Sequence, residues 1–218
     1  MASSKTEADV RRAALLLSVR RRGIRDPHLM RVFEQVPRDL FVDEDFLDIA
    51  FADQALPIAC GQTISQPAVV ALMTQMLDLA SHHSVLEVGT GSGYHAAILG
   101  HLAGRVVSVE RFRALARTAA DRLKSLGLEN VEVRVADGRL GYPPRAPFDR
   151  IIVTAAAPEV PPALFEQLLP GGVLVAPVGP QEGPQMLMRY ERMPEGMKAR
   201  EVLPVRFVPL LSGIATVL

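Results

Sequence analysis

The segment VLEVGTGSG, residues 85–93, decides the fold of this chain. It begins with mostly apolar residues, as a buried strand does, and it ends with glycine at every second position. Glycine lets the backbone turn sharply and approach a ligand where a strand of a parallel sheet passes into a helix. The dinucleotide fingerprint G-x-G-x-x-G would require glycine at position 94, where this chain has Tyr94. The spacing predicts a ligand-binding βα turn and disfavours a pyrophosphate; the alternative is a tight turn with glycines that serve only packing.

Downstream of this segment, apolar runs alternate with amphipathic stretches. The sequence predicts strands at 84–88, 106–109, 131–135, 151–155 and 173–178, and helices at 94–103, 111–126 and 164–169. Such alternation requires right-handed crossovers, so the strands should form a doubly wound, parallel sheet with helices on both faces. The predicted fold class is therefore α/β and Rossmann-like.

The segments that flank this sheet differ from it. Upstream, the sequence predicts an irregular stretch at 43–64 and helices at 10–19, 27–36 and 67–80. The helix at 27–36 has Asp26 as its N-cap and Pro27 at its first position. Downstream, the sequence predicts two long strands that extend one edge of the sheet, at 185–190 and 200–210. We expect one domain over residues 1–218, composed of an N-terminal helical layer (1–80), a nucleotide-binding core (81–180) and a C-terminal pair of edge strands (181–218).

The composition excludes several classes of protein. The 24 basic and 24 acidic residues give a formal net charge of zero, which argues against binding to nucleic acid or to a membrane through bulk positive charge. A single cysteine, Cys60, rules out an internal disulfide and a cysteine-rich zinc site, and we expect no metal. The apolar run at 13–17 is too short for the core of a signal peptide. We therefore expect a cytoplasmic protein, and a monomer.

Acidic residues follow the next two predicted strands. Glu110 ends the second strand, where its carboxylate could accept hydrogen bonds from ribose hydroxyls. Asp137 and Gly138 follow the third, where a carboxylate and a backbone N–H could bind the edge of an adenine. The alternatives are an N-cap for Glu110 and an ordinary turn for Asp137. Together with the glycine turn, these residues form the layout of an S-adenosylmethionine-dependent methyltransferase.

The most specific motif lies before the sheet: GQTISQP at residues 61–67. With other motifs, it makes the chain resemble the protein-L-isoaspartate (D-aspartate) O-methyltransferase family from about Gly23 to Leu211. These other motifs are VPR at 36–38, FV at 41–42, VLEVGTGSG at 85–93, DG at 137–138, FD at 148–149, IIVTA at 151–155, PGG at 170–172 and RFVPL at 206–210.

The resemblance implies transfer of a methyl group from S-adenosyl-L-methionine, which becomes S-adenosyl-L-homocysteine, to the free carboxylate of L-isoaspartyl residues in damaged proteins. D-Aspartyl residues would react more weakly, and collapse of the ester to a succinimide would begin repair. Ser65 would be the catalytic residue and would also contact substrate, as would Val208 and Leu210 in a closing C-terminal segment. The residues expected to bind the cofactor are Gln62, Thr63, Ile64, Ser65, Val70, Glu87, Glu110, Arg111, Asp137 and Gly138, together with Gly89, Thr90, Gly91, Ser92 and Gly93 of the turn.

Several alternatives stay open at this point. Ser65 could instead cap the helix that begins near Pro67. His95 stands where many family members carry other residues, and Val70 also departs from many of them. The chain could methylate an aspartate in one dedicated peptide, could be a nicotinamide oxidoreductase, or could bind a nucleoside without catalysis. Labelled S-adenosylmethionine with matched aspartyl and isoaspartyl peptides would separate these functions.

Overall fold

The computed structural model describes residues 2–215. The helices are α1 (Ala2–Arg21), α2 (Pro27–Gln35), α3 (Pro67–Leu77), α4 (Tyr94–Leu102), α5 (Arg113–Ser125) and α6 (Pro162–Glu166). The strands are β1 (Leu56–Ile58), β2 (Gln62–Ile64), β3 (Ser84–Val88), β4 (Arg105–Glu110), β5 (Val131–Val135), β6 (Phe148–Val153), β7 (Leu168–Val178), β8 (Gln185–Met193) and β9 (Gly196–Val205). Among residues 2–215, no helix is both long enough and apolar enough to cross a membrane.

The central sheet has seven strands in the order β5-β4-β3-β6-β7-β8-β9. The first five of these strands run parallel to one another, whereas β8 pairs antiparallel with both β7 and β9. The predicted doubly wound sheet and its antiparallel edge extension are therefore confirmed. Because the chain order reverses at β3, between β4 and β6, a crevice forms beyond the carboxyl end of β3.

Apolar strands form the interior of this sheet because helices cover both faces. Leu86, Val107 and Ile151 lie on adjacent strands and are fully buried. The N-terminal helices α1, α2 and α3 pack against one another, and α3 also contacts β6 and β7. The predicted cap of α2 is confirmed, since the Asp26 carboxylate accepts a hydrogen bond of 2.8 Å from the backbone N–H of His28.

The main difference from the prediction lies at the C-terminal end. The predicted strand at 200–210 is wrong beyond Val205, because β9 ends there and the chain then turns across the carboxyl ends of the parallel strands. Ala156, just after β6, holds this segment through two hydrogen bonds: its N–H donates to the carbonyl of Val208 and its carbonyl accepts from Leu210. Pro209 at this point supplies no N–H for a continued ladder.

Smaller differences concern element boundaries. α6 begins and ends earlier than predicted because Leu168 already belongs to β7. α3 is shorter than predicted because it ends at Leu77, and its C-cap, Asp78, has a left-handed φ of 52°. The stretch at 43–64, expected to be irregular, contains the short hairpin of β1 and β2. Residues 216–218 of the predicted C-terminal region lie outside the described residues.

Candidate active site

The glycine turn after β3 forms the floor of a cavity. Gly89 has a φ of +100°, and a Cβ added there would overlap the hydroxyl oxygen of Thr154. That hydroxyl group lies at the end of β6, 2.7 Å from the Gly89 carbonyl and 3.0 Å from that of Val88. Glycine is therefore required at this position both for its backbone angle and for the close approach of Thr154.

The cavity lies beyond the carboxyl ends of the parallel strands and encloses about 780 Å³ of space, part of it open to solvent. Most of the predicted site residues line it: Gln62, Thr63, Ile64, Ser65, Val70, Gly89, Thr90, Gly91, Ser92, Glu110, Arg111, Gly138, Val208 and Leu210. Glu87, Gly93 and Asp137 are not in the lining. The structure thus brings together residues from β2, α3, three strand ends and the C-terminal segment.

Glu110, at the end of β4, is nearly buried and connects the turn to α5. One carboxylate oxygen accepts from the backbone N–H of Gly91 at 2.8 Å, and the other accepts from that of Phe112 at 3.0 Å. Phe112 is itself the N-cap of α5, so Glu110 supports that helix end without occupying the N-cap position. Each carboxylate oxygen retains a second lone pair that can face the cavity.

Glu87 lies beneath the turn and is fully buried. Burial raises the pKa of Glu87 to about 8, the hydrogen bond from Ser108 lowers it, and the charge of Glu110 raises it again. Ser108 Oγ lies 2.5 Å from Glu87 Oε2 and 2.5 Å from the hydroxyl oxygen of Thr90. A chain of side chains therefore links the buried carboxyl group to Thr90 in the cavity lining.

Asp137 joins the sheet to the C-terminal segment. Its carboxylate accepts from the backbone N–H of Arg139 at 2.9 Å and from that of Gly213 at 2.7 Å. Arg111 binds the same segment, since its guanidinium donates to the carbonyls of Ser212 and Gly213. These contacts hold residues 208–213 over the cavity, and an interaction of Asp137 with adenine stays a prediction.

Ser65 lies between β2 and α3, and the alternative that it caps α3 is wrong. The N-cap is Gln66, and the first free N–H of the helix, that of Ala68, donates instead to Asp53 at 2.9 Å. The other oxygen of Asp53 accepts from the Gln66 side chain at 3.1 Å. Within residues 2–215, the Ser65 hydroxyl group makes no hydrogen bond to protein, although it lines the cavity.

The sequence did not identify every residue of the lining. Tyr94 and His95 at the start of α4, and Thr154 at the end of β6, also face the cavity. Their positions offered a signal, because Thr154 ends a fourth strand of the sheet and His95 follows the glycine turn. Burial lowers the pKa of His95 to about 3, so this imidazole is neutral at physiological pH.

A second, larger cavity adjoins the first and shares Thr63 and Ser65 with it. Its walls come from the start of α3 and from the end of β9 with the residues that follow, including Phe207. Arg22 and Arg206 contribute positive charge to this lining. Ser65 therefore lies at the junction between an inner cavity at the strand ends and an open groove.

Comparison with known proteins gave consistent results. The model of the family described as protein-L-isoaspartate(D-aspartate) O-methyltransferase matches residues 10–215. Proteins named protein-L-isoaspartate O-methyltransferase are 54% identical over 219 residues in Xanthobacter autotrophicus, with all of both chains covered, and 55% identical over 207 residues in Azorhizobium caulinodans, with 95% of each covered.

Solved structures agree with these sequence relatives. A structure titled protein-L-isoaspartate O-methyltransferase superimposes with a TM-score of 0.84 at 29% identity, covering 93% of this chain and 67% of that one. A Plasmodium falciparum structure, described as a putative protein-L-isoaspartate O-methyltransferase in complex with S-adenosyl-L-homocysteine, has a TM-score of 0.78 at 25% identity, covering 91% and 97%.

Proposed function

The chain belongs to the protein-L-isoaspartate(D-aspartate) O-methyltransferase family, and we propose that its two cavities bind different reactants. The enzyme transfers a methyl group from S-adenosylmethionine to isoaspartyl residues of damaged proteins, which begins their repair. The inner cavity binds the cofactor, and the open groove binds the peptide. The observation that supports this division is the position of Ser65 in the lining of both.

The inner cavity fits S-adenosylmethionine in the chemistry of its lining. Glu110 would accept from the ribose hydroxyls, Gly138 would lie against the adenine, and the glycine turn would allow close approach of the nucleoside. The bound cofactor supplies the methyl group, activated by its attachment to a sulfonium sulfur.

Ser65 would orient the substrate. An α-carboxyl group has a pKa of about 3.5 in model compounds, so the isoaspartyl carboxylate is already ionised at neutral pH and needs no general base. The Ser65 hydroxyl group, which has no protein partner among the described residues, is free to donate to one carboxylate oxygen. The other oxygen can then face the methyl donor, and alignment of this kind is a major source of rate enhancement.

The test of this function uses labelled S-adenosylmethionine with two peptides that differ only in an aspartyl or an isoaspartyl linkage. We expect base-labile label to accumulate on the isoaspartyl peptide alone. Several unrelated isoaspartyl sequences should be accepted, because the groove is open and its lining is largely apolar. Labelling of one sequence only, or of the aspartyl peptide equally, would contradict the proposal of a general repair enzyme.

We also propose that the enzyme acts as a monomer in the cytoplasm. Both cavities are built from residues of one chain, so a second copy is not needed to complete the site. A free thiol at Cys60 is compatible with a reducing compartment. Light scattering of the purified enzyme across a range of concentrations tests the first point, and fractionation of the source cells tests the second.

A further inference from the structure

His95 is a nearly buried side chain in the cofactor cavity to which the proposed function gives no role. It lies in the first turn of α4 and is 7% exposed. Its Nε2 atom lies 2.9 Å from the hydroxyl oxygen of Thr74 on α3. That hydroxyl oxygen is also 2.8 Å from the backbone carbonyl of Val70, one turn earlier in the same helix.

These two distances assign the tautomer of the imidazole. A threonine hydroxyl group has a single proton, and a carbonyl can only accept, so Thr74 donates its proton to Val70. Thr74 must then accept from His95, and the ring proton resides on Nε2. Because the imidazole is neutral, Nδ1 carries a free lone pair and acts as a hydrogen-bond acceptor.

The free Nδ1 atom opens onto the cavity. Among residues 2–215, this atom has no hydrogen-bond partner. It is not fully enclosed either, because it is absent from the set of partnerless polar atoms that are fully enclosed. The ring lines the same space as Ser65 and the glycine turn. A buried, orientationally fixed acceptor of this kind is suited to a ligand that brings a hydrogen-bond donor.

The order of the strands indicates which part of the cofactor reaches His95. Gly138, Glu110 and the glycine turn follow β5, β4 and β3, which are consecutive neighbours in the sheet. If adenine lies at Gly138 and ribose at Glu110, the methionyl part extends toward β3 and α4, where His95 lies in the first turn of the helix. Of the three charged groups on that part, the carboxylate can only accept and the sulfonium has no proton to donate, whereas the α-ammonium donates. A lone pair on Nδ1 therefore selects the ammonium group.

We infer that His95 positions the methionyl end of the cofactor by accepting a hydrogen bond at Nδ1 from the α-ammonium group, with Thr74 holding the ring in the required tautomer. This inference rests on the proposed function, since it assumes that the cavity binds the cofactor. A neutral ring is needed here because the cofactor already brings an ammonium and a sulfonium charge to this end of the cavity. Burial, which keeps the pKa of His95 near 3, supplies that neutrality.

The test compares two ligands by titration calorimetry: S-adenosylhomocysteine and the analogue in which hydrogen replaces its α-ammonium group. His95→Gln is the central variant because its amide reaches the Nε2 position and keeps the contact with Thr74, but leaves nothing at the Nδ1 position. We expect His95→Gln to bind S-adenosylhomocysteine about ten- to a hundredfold more weakly than the wild type does, the range for a lost hydrogen bond to a charged group. Binding of the analogue should be unchanged.

His95→Asn is the matched control. Its amide reaches the Nδ1 position and loses Thr74 instead, so it should bind S-adenosylhomocysteine within a few fold of the wild type. Equal affinity of wild type and His95→Gln for S-adenosylhomocysteine, or an equal loss for both ligands, would overturn the inference. If the wild type binds neither ligand, the proposed cofactor site itself is wrong.

A measurement on the wild type keeps the inference testable if a variant does not fold. With ¹⁵N-labelled histidine, the NMR signal of Nδ1 should move to lower frequency when S-adenosylhomocysteine binds. The signal of an unprotonated imidazole nitrogen moves in this direction when its lone pair accepts a hydrogen bond. The desamino analogue should leave this signal near its position in the free protein. The same shift with both ligands would assign the donor to another group and would contradict the inference.

Discussion

Ser65 and Asp53 both lie near the start of α3, and their replacement should separate catalysis from stability. Ser65→Ala removes a hydroxyl group that makes no protein hydrogen bond in the described structure and is not the N-cap. We therefore expect a change of less than about 0.5 kcal/mol in the free energy of unfolding. If the hydroxyl group holds the substrate carboxylate, its loss should cost about 1.5–3 kcal/mol in the transition state, or about ten- to a hundredfold in kcat/KM.

Asp53→Ala is the matched control, because Asp53 supplies the cap that Ser65 does not. Its carboxylate accepts from the Ala68 N–H, from the Gln66 amide at 3.1 Å and from the Ser18 hydroxyl group at 3.2 Å. Loss of a cap costs about 1–2 kcal/mol, which for a protein of this size lowers the Tm by about 2–8 °C. At a temperature where this variant is folded, its turnover of an isoaspartyl peptide should remain within a few fold of the wild type.

The assay measures Tm, kcat/KM for an isoaspartyl peptide and affinity for S-adenosylhomocysteine on both variants. The expected pattern is a stable but slow Ser65→Ala enzyme with near-normal cofactor affinity, and a less stable but active Asp53→Ala enzyme. The reasoning fails if Ser65→Ala keeps wild-type kcat/KM, or if it loses stability while Asp53→Ala does not.

Other consequences concern charge and pH. Glu110→Ala should weaken binding of S-adenosylhomocysteine by about 1.5–3 kcal/mol, and calorimetry that finds unchanged affinity would remove ribose from this position. The folded-state pKa of Glu87 is raised from 4.5 to about 8, so the wild type should lose stability relative to Glu87→Gln as pH rises between these values, by up to about 1.4 kcal/mol per pH unit. Urea denaturation of both proteins at pH 5, 6 and 7 checks this, and a difference in unfolding free energy between them that stays the same at all three pH values would contradict it. Since the pKa of His95 is near 3 and no base is needed, single-turnover methylation should be nearly constant between about pH 6 and 8, and a tenfold fall per unit below pH 7 would refute that statement.

The sequence predicted the parallel sheet well because strands buried on both faces carry a strong apolar signal. The residues at 85–88 and the glycines after them identified β3 and its turn, and most predicted lining residues meet at one edge of the sheet as expected. Parallel strands place their carboxyl ends together, so residues far apart in sequence could be assigned to one cavity without knowledge of the loops.

The parts that could not be predicted depend on tertiary contacts. Residues 206–210 have the apolar character of a strand, yet Ala156 and Asp137 draw this region across the cavity instead. The cap of α3 also comes from Asp53, which is distant in sequence and carries no local signal. Likewise, only the contact with Thr74 gives His95 a defined tautomer. In each case the deciding partner lies on another element of the fold.

The charges in the inner cavity suit a reaction in which charge disappears. A sulfonium cation and a carboxylate anion become a thioether and an ester, so a strong cation held against the carboxylate would stabilise the reactants more than the transition state. Glu110 and Arg111 are the charged side chains of the described lining, and Arg111 directs its guanidinium to the carbonyls of Ser212 and Gly213. The carboxylate would then meet the neutral hydroxyl group of Ser65, which can orient it without binding it too tightly. Arg206 lies in the lining of the outer groove, where it can attract an anionic peptide, whereas Arg22 in the same lining is already 3.9 Å from the carboxylate of Asp53. The site of methyl transfer is left to Ser65.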